Sequence, residues 1–90
     1  MTYRTVWKYA LNSPVTMIDL PLGAEVLDVA TQDGVPHLWV LGEPGAPMMA
    51  RTFVGFGTGH AVEPGARYVG TAHGVYGDLV FHIFERGGAA

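Results

Sequence analysis

One segment of the chain, Gly57–His60, has residue types that suit an anion-binding loop. Glycines on both sides of Thr58 let backbone N–H groups come close to a bound anion. The segment lacks the Gly-Lys-Ser/Thr end of a nucleotide-binding P-loop, and no helix signal follows it. The alternative is a loop that leaves a strand with glycines at positive φ. The sequence therefore leaves two roles open for Thr58, Gly59 and His60.

Arg51 and Arg67 are two of the five basic residues in the chain, and they flank this segment. A guanidinium group next to Gly57–His60 would clamp a phosphate or a carboxylate with paired N–H donors. The alternative for each arginine is an ion pair with a nearby acid. A small, anionic, nucleotide-like ligand is therefore one hypothesis. It requires the loop and an arginine to converge, within one chain or across a subunit boundary.

Asp28, His37 and Trp39 form a second candidate site, which suits the binding of a partner protein. A tryptophan provides a large contact area at a small loss of conformational entropy, and ionisable neighbours add polar contacts. We expect these three side chains to share one face of a predicted hairpin.

Metal-dependent and hydrolytic chemistry have weak support. The four histidines are separated by 23, 13 and 9 residues, which matches no compact zinc motif, and the chain has no cysteine. The single serine, Ser13, precedes a proline, and the carboxylates are scattered. We therefore predict a non-enzymatic protein without metal or cofactor. We expect His73 in an exposed turn, and His82 buried with a hydrogen-bond partner.

The elements that must position these residues are predicted to be strands. Thirteen glycines and six prolines interrupt every helical apolar period, whereas short runs rich in β-branched and aromatic residues remain. They predict a single all-β, mainly antiparallel domain over residues 1–90, with a frayed tail at 86–90. A compact sandwich or barrel of about seven short strands fits this pattern. The predicted strands are 2–11, 15–20, 25–32, 35–41, 49–56, 67–72 and 79–85.

The dipeptide Asp33-Gly34 is the most specific local signal, because a type I′ turn needs positive φ at both central residues. It predicts a hairpin whose pairing begins with Gln32 opposite Val35. We expect the outer side of the second strand to be unpaired near Pro36, which has no N–H. The register predicts a core face of Leu27, Val29, Leu38 and Val40, and a mixed second face of Val26, Asp28, Ala30, His37, Trp39 and Leu41.

The first and last predicted strands differ in pattern. Trp7 and Tyr9 alternate with polar or small residues, so we expect Trp7 to face the core. The last strand, Leu79–Glu85, is apolar on both faces, which predicts a central strand buried on both sides.

Composition excludes several classes of function. Hydrophobic residues make up 49% of the chain and charged residues 14%, with a net charge of −3. These values exclude a disordered chain and argue against nucleic-acid binding, which needs a basic surface. We also expect no membrane span, no signal peptide and no disulfide scaffold.

The shortage of charge predicts an exposed apolar patch, because a domain of this size leaves much of its surface in water. An apolar patch of that kind is typical of an interface. A homo-oligomer, with a two-fold dimer favoured, is one explanation. A monomer with a partner-binding face is the other.

Seven segments match a pattern known from other proteins, and they keep its order along nearly the whole chain: Val6–Leu11, Leu20–Leu27, Gln32–Trp39, Arg51–Phe53, Phe56–His60, Arg67–Thr71 and Leu79–Glu85. Together they resemble a family of small uncharacterised bacteriophage and prophage proteins, a domain of unknown function. The chain departs from the pattern in the loop at 72–78. The resemblance implies a viral accessory protein in the host cytoplasm, and it implies no activity.

Three functions follow from these observations. The first is a phage accessory protein that oligomerises and binds a host factor, thereby countering a host defence. The second is sequestration of a small nucleotide-like ligand at Gly57–His60, and the third is a minor component of the virion.

Overall fold

The chain folds into seven β-strands, and a computed structural model describes residues 3–87. No helix occurs in that range. Each strand coincides with one of the predicted runs, so the all-β prediction is confirmed. The strands are β1 (Thr5–Ala10), β2 (Val15–Pro21), β3 (Glu25–Gln32), β4 (Val35–Gly42), β5 (Met48–Gly57), β6 (Arg67–Val75) and β7 (Leu79–Glu85).

Two strand ends differ from prediction by three residues, and the others by at most one. β1 begins at Thr5 rather than at residue 2, which lies outside the described residues. β6 continues to Val75, so His73 is an exposed strand residue paired with Val80, not a turn residue. The sequence hid this continuation because Gly74 takes a positive φ of 73° inside the strand, at a register shift between His73 and Val75.

The strands form a sandwich of two antiparallel sheets rather than a closed barrel. Sheet A has the order β1-β4-β3, and sheet B has the order β2-β5-β7-β6. Apolar side chains between the sheets form the core, because alternate residues of each strand point inward. The core residues are Leu11, Ile18, Leu20, Ala24, Val29, Leu38, Val40, Phe53, Ala72, Val75 and Ile83.

The Asp33-Gly34 turn and most of the predicted register are confirmed. Both turn residues have positive φ, 52° and 76°. The predicted pairs from Gln32–Val35 to Asp28–Trp39 are all present, but Val26, not Leu27, then pairs with Val40. Leu27 occupies a β-bulge and is 50% exposed, so its predicted core position was wrong.

The prediction that the outer side of β4 is free near Pro36 was also wrong. β1 pairs with β4 as far as His37, and the Leu11 N–H donates to the Pro36 carbonyl at 2.8 Å. The missing N–H of Pro36 therefore lies where the β1 ladder ends, and its carbonyl is still satisfied.

β7 is central, between β5 and β6, as predicted, but it is not buried on both sides. Ile83 points into the core, whereas His82 and Phe84 point to the outer face of sheet B and are half-buried. Thr58, in the connection after β5, contacts His82 on this outer face. Trp7 is likewise half-buried: a Cβ at Gly42 would lie 2.9 Å from its ring.

The two sheets approach each other closely along β3 and β6. A Cβ at Gly70 would lie 2.8 Å from the Val29 side chain, so only glycine fits there without movement. At the end of β7, the Arg86 N–H donates to the Thr52 carbonyl at 2.8 Å. The rest of the predicted frayed tail, residues 88–90, lies outside the described residues.

Candidate functional site

The predicted partner-binding residues lie together on the solvent-facing side of sheet A. Trp39 is at the middle of the central strand β4, directly opposite Lys8 on β1 and Asp28 on β3. The ring of His37 lies 6.0 Å from that of Trp39, inclined by 43°. We call this surface the Trp39 face, and its members are Val6, Lys8, Asp28, His37, Trp39 and Leu41.

Two pairs of polar side chains contact each other across β4, one beyond Trp39 and the other beyond Leu41. The Lys8 ammonium donates to the Gln32 amide oxygen at 2.6 Å. Beyond Leu41, the Arg4 guanidinium donates to the Glu25 carboxylate at 3.4 Å, and both of these side chains are exposed. An aromatic centre with a charged rim is the usual composition of a protein–protein interface.

The backbone holds two side chains of the Trp39 face, Asp28 and His37. Asp28 accepts a hydrogen bond from the Val29 N–H at 2.9 Å. His37 Nδ1 lies 2.8 Å from the Val35 carbonyl, which can only accept, so Nδ1 carries the proton. This contact fixes the orientation of the His37 ring beside Trp39.

Arg51 and Arg67 converge, but on a carboxylate of the chain itself. Arg51 donates from Nε and Nη2 to both oxygens of Glu85, at 2.7 and 2.8 Å, and from Nη1 to the Ala24 carbonyl at 2.6 Å. Arg67 donates to Glu85 at 3.1 Å. Because all three nitrogens of Arg51 are engaged, the ion-pair alternative describes this residue.

Glu85 is the only buried charged residue among those described, with 7% of its surface exposed. Hydrogen bonds from Arg51 hold the pKa of Glu85 below its ordinary value against the opposing effect of burial, and the charges of Arg51 and Arg67 add to the lowering. The same hydrogen bond raises the pKa of Arg51. Glu85 could not be recognised from the sequence as a site residue, because its partners are 34 and 18 residues away.

Arg67 differs from Arg51 because its side chain is 72% exposed. It borders a depression of about 380 Å³ that Glu25, Tyr68 and Glu85 also line. One guanidinium is thus satisfied internally and the other faces water with most of its donors unused.

Thr58, in the Gly57–His60 segment, contacts His82, which was predicted to be buried. Thr58 Oγ1 lies 2.9 Å from His82 Nε2, and His82 Nδ1 lies 3.2 Å from Thr71 Oγ1. Tyr68 continues the chain with a 2.6 Å contact to Thr71. His82 therefore has the predicted hydrogen-bond partners, although it is half-buried on the outer face rather than buried.

The loop and the arginines do not meet within one chain. Gly57 pairs with Phe81, whereas the arginines bind Glu85, four residues further along β7 and so about 13 Å away. Thr58 contacts the outer side of sheet B, but Arg51 shares its side with the core residue Ile18. His60 is exposed, and a Cβ at Gly57 would touch its ring at 3.2 Å.

Two further surfaces were not located by the sequence. A cavity of about 90 Å³ opens between the sheets near the connection from β1 to β2, where Gly55 leaves space beside Phe81 and Ile83. Of the twelve exposed large apolar residues among those described, five lie in β2, just after it, or at the beginning of β5. They are Val15 (47% exposed), Met17 (71%), Leu22 (57%), Met48 (61%) and Met49 (53%).

Residues 3–87 contain no cluster of three or more His, Cys, Asp or Glu side chains that could hold a metal ion. They also contain no helix with the length and hydropathy to cross a membrane.

A scan against family models matches a domain of unknown function, DUF7352, over residues 2–90. The chain belongs to this family. No curated protein and no solved structure matches it. The family description assigns no activity and indicates no phage origin.

Proposed function

We propose that the protein is a non-enzymatic accessory protein of a phage or prophage, which self-associates and binds a host protein in the host cytoplasm. The proposed viral origin rests on a resemblance to phage and prophage proteins. That resemblance is carried by the ordered segments described above, from Val6–Leu11 to Leu79–Glu85. A role in countering host defence is the accompanying hypothesis.

The Trp39 face supports binding of another protein. A half-buried tryptophan stands at its centre with the apolar residues Val6 and Leu41, and the ion pair and hydrogen bond that cross β4 lie around them. Tryptophan is among the residues that contribute most to interface energy when partners enclose it. This composition fits a partner with an apolar centre and charges around it.

The experiment compares capture by three versions of the protein from host lysate, with quantitative mass spectrometry. The wild type and Tyr68→Ala, which removes an exposed aromatic ring from the opposite sheet, should enrich the same host protein. Trp39→Ala should stay folded by circular dichroism and lose that protein. Equal enrichment by a folded Trp39→Ala variant would refute the role of this face.

Sequestration of a nucleotide-like anion is the alternative that Arg67 favours, because its guanidinium is exposed beside a depression. Thr58–His60 is too far from Arg67 to share a ligand in one chain, so this function would need a second subunit to bring them together. A thermal-shift panel of cyclic and linear nucleotides tests it. A bound nucleotide should stabilise the fold by about 2.7 kcal/mol at a hundredfold excess over its Kd, and a flat panel rejects it.

The third candidate function is that of a minor virion component. The protein would then co-purify with mature particles in constant proportion to the capsid protein. An accessory protein that acts in the cytoplasm would instead be left behind in the lysate.

A further inference from the structure

The four edge strands of the sandwich are protected to different degrees. β3 contains one bulge, β6 contains two register shifts, and these two strands pack against each other. β1 carries Lys8, which discourages pairing with another strand. β2 pairs regularly with β5 from Val15 to Pro21 without a bulge, and its single charged residue is Asp19.

The hydrogen-bond alternation of β2 shows which backbone groups are open. The Pro14 carbonyl accepts from the Gly55 N–H, and the Leu22 N–H donates to the Pro47 carbonyl, so even-numbered residues face β5. The N–H and C=O groups of Val15, Met17 and Asp19 consequently point outward from the free edge of sheet B, away from β5. In the described part of the chain no hydrogen bond reaches them.

We infer that β2 pairs antiparallel with β2 of a second copy, which joins two copies of sheet B into one continuous eight-stranded sheet. This inference rests on the self-association in the proposed function and names its interface. A two-fold axis through Met17 places Met17 opposite its equivalent and Val15 opposite Asp19, in both directions.

This register is the one that uses every open group. Three directly opposed pairs exchange six N–H···O=C bonds and leave none of these donors or acceptors unpaired. A shift of the axis by one residue in either direction would place a β2 residue opposite Pro21, which has no N–H, or opposite Ser13, which precedes the strand.

Charge and apolar surface agree with a second copy as the partner. The two Asp19 side chains would be separated by four residues of strand, about 14 Å, and would not face each other. The exposed side chain of Met17 would pack against its equivalent, with Val15 on either side. An interface limited to one strand per copy is small, so we expect a dimer that dissociates at micromolar concentrations.

Met17→Pro tests this interface without touching the intramolecular sheet. The Met17 N–H faces outward, so proline removes the two central intermolecular bonds and no bond to β5. Met17→Thr is the matched control, because it shortens the same side chain and keeps the N–H. Light scattering should give the wild type and Met17→Thr a mass approaching twice 9.6 kDa at high concentration. Met17→Pro should weaken the dimer more than tenfold while its circular dichroism is unchanged.

Each of the other outcomes would contradict either the β2 interface or self-association itself. A dimer that survives Met17→Pro would overturn the β2 interface and leave self-association in place. A wild-type monomer at every concentration would overturn both, while binding of a host protein through Trp39 would stand on its own test. If Met17→Pro fails to fold, hydrogen exchange on the wild type decides: the Val15, Met17 and Asp19 amides should become protected as concentration rises. Equal exchange at low and high concentration would overturn the inference.

Discussion

The Trp39 face and the β2 edge are both open to solvent, yet they differ in how their polar groups are satisfied. On the Trp39 face the backbone of β4 is paired on both sides, and the exposed chemistry belongs to side chains. Along β2 the exposed chemistry belongs to the backbone of Val15, Met17 and Asp19. The first surface suits recognition of a different protein by its side chains, and the second suits the addition of an identical strand.

The largest expected loss of stability comes from removing the Glu85 carboxylate, and it should affect both surfaces together. Arg51, on β5 of sheet B, binds Glu85 on β7 and the Ala24 carbonyl just before β3 of sheet A. Glu85→Ala would leave a largely buried guanidinium without its partner, and we expect a loss of about 3–5 kcal/mol in the free energy of unfolding. Urea denaturation measures it. Glu63→Ala, which removes the exposed partner of Arg86, is the control and should change stability little.

Acid should weaken both surfaces for the same reason. The pKa of Glu85 is lowered in the folded state, so the unfolded state binds more protons as the pH falls below the ordinary glutamate value of about 4.3. The stabilisation is complete above that value and is lost as the pH falls through the folded pKa. Thermal denaturation across this range should therefore show Tm falling more steeply for the wild type than for Glu85→Gln. Parallel curves would mean that Glu85 carries little of the acid sensitivity.

The two surfaces should fail independently when each is changed alone. We expect Trp39→Ala to lose the host protein and keep the dimer mass, and Met17→Pro to lose the dimer mass and keep the host protein. Light scattering and capture on the same preparations measure both properties. If either variant lost both while folded, the two surfaces would act as one and the comparison would be wrong.

The smallest effect is expected at the bulge beside the Trp39 face. Leu27→Ala should change the free energy of unfolding by no more than about 0.5 kcal/mol, because the side chain is half exposed. Leu38→Ala, the same change at a fully buried position of the paired strand, should cost about 2–5 kcal/mol. Equal losses in the free energy of unfolding, measured by urea denaturation, would mean that Leu27 lies in the core and that β3 has no bulge there.

Local patterns were sufficient for the strands and for the grouping on the Trp39 face. Alternation places His37 and Trp39 on one side of β4, and the Asp33-Gly34 turn fixes their neighbours as far as Asp28. The bulge at Leu27 was missed because a period of two continues through it in the sequence.

The contacts of Glu85 and His82 could not be predicted from local patterns. They depend on the sheet order β2-β5-β7-β6, in which β7 lies between two strands that precede it in the chain. That order places Arg51 and Arg67 on opposite sides of Glu85, and it brings Thr58 to His82 rather than to an arginine. No spacing in the sequence specifies which strands become neighbours.

Titration of the captured host protein, once purified, against the wild type and Trp39→Ala tests the proposed binding surface most directly. The proposal predicts that the Kd rises at least tenfold, which is about 1.4 kcal/mol, in the folded variant with its dimer mass unchanged. An unchanged Kd would contradict it, and the host protein would then have to bind elsewhere on the molecule.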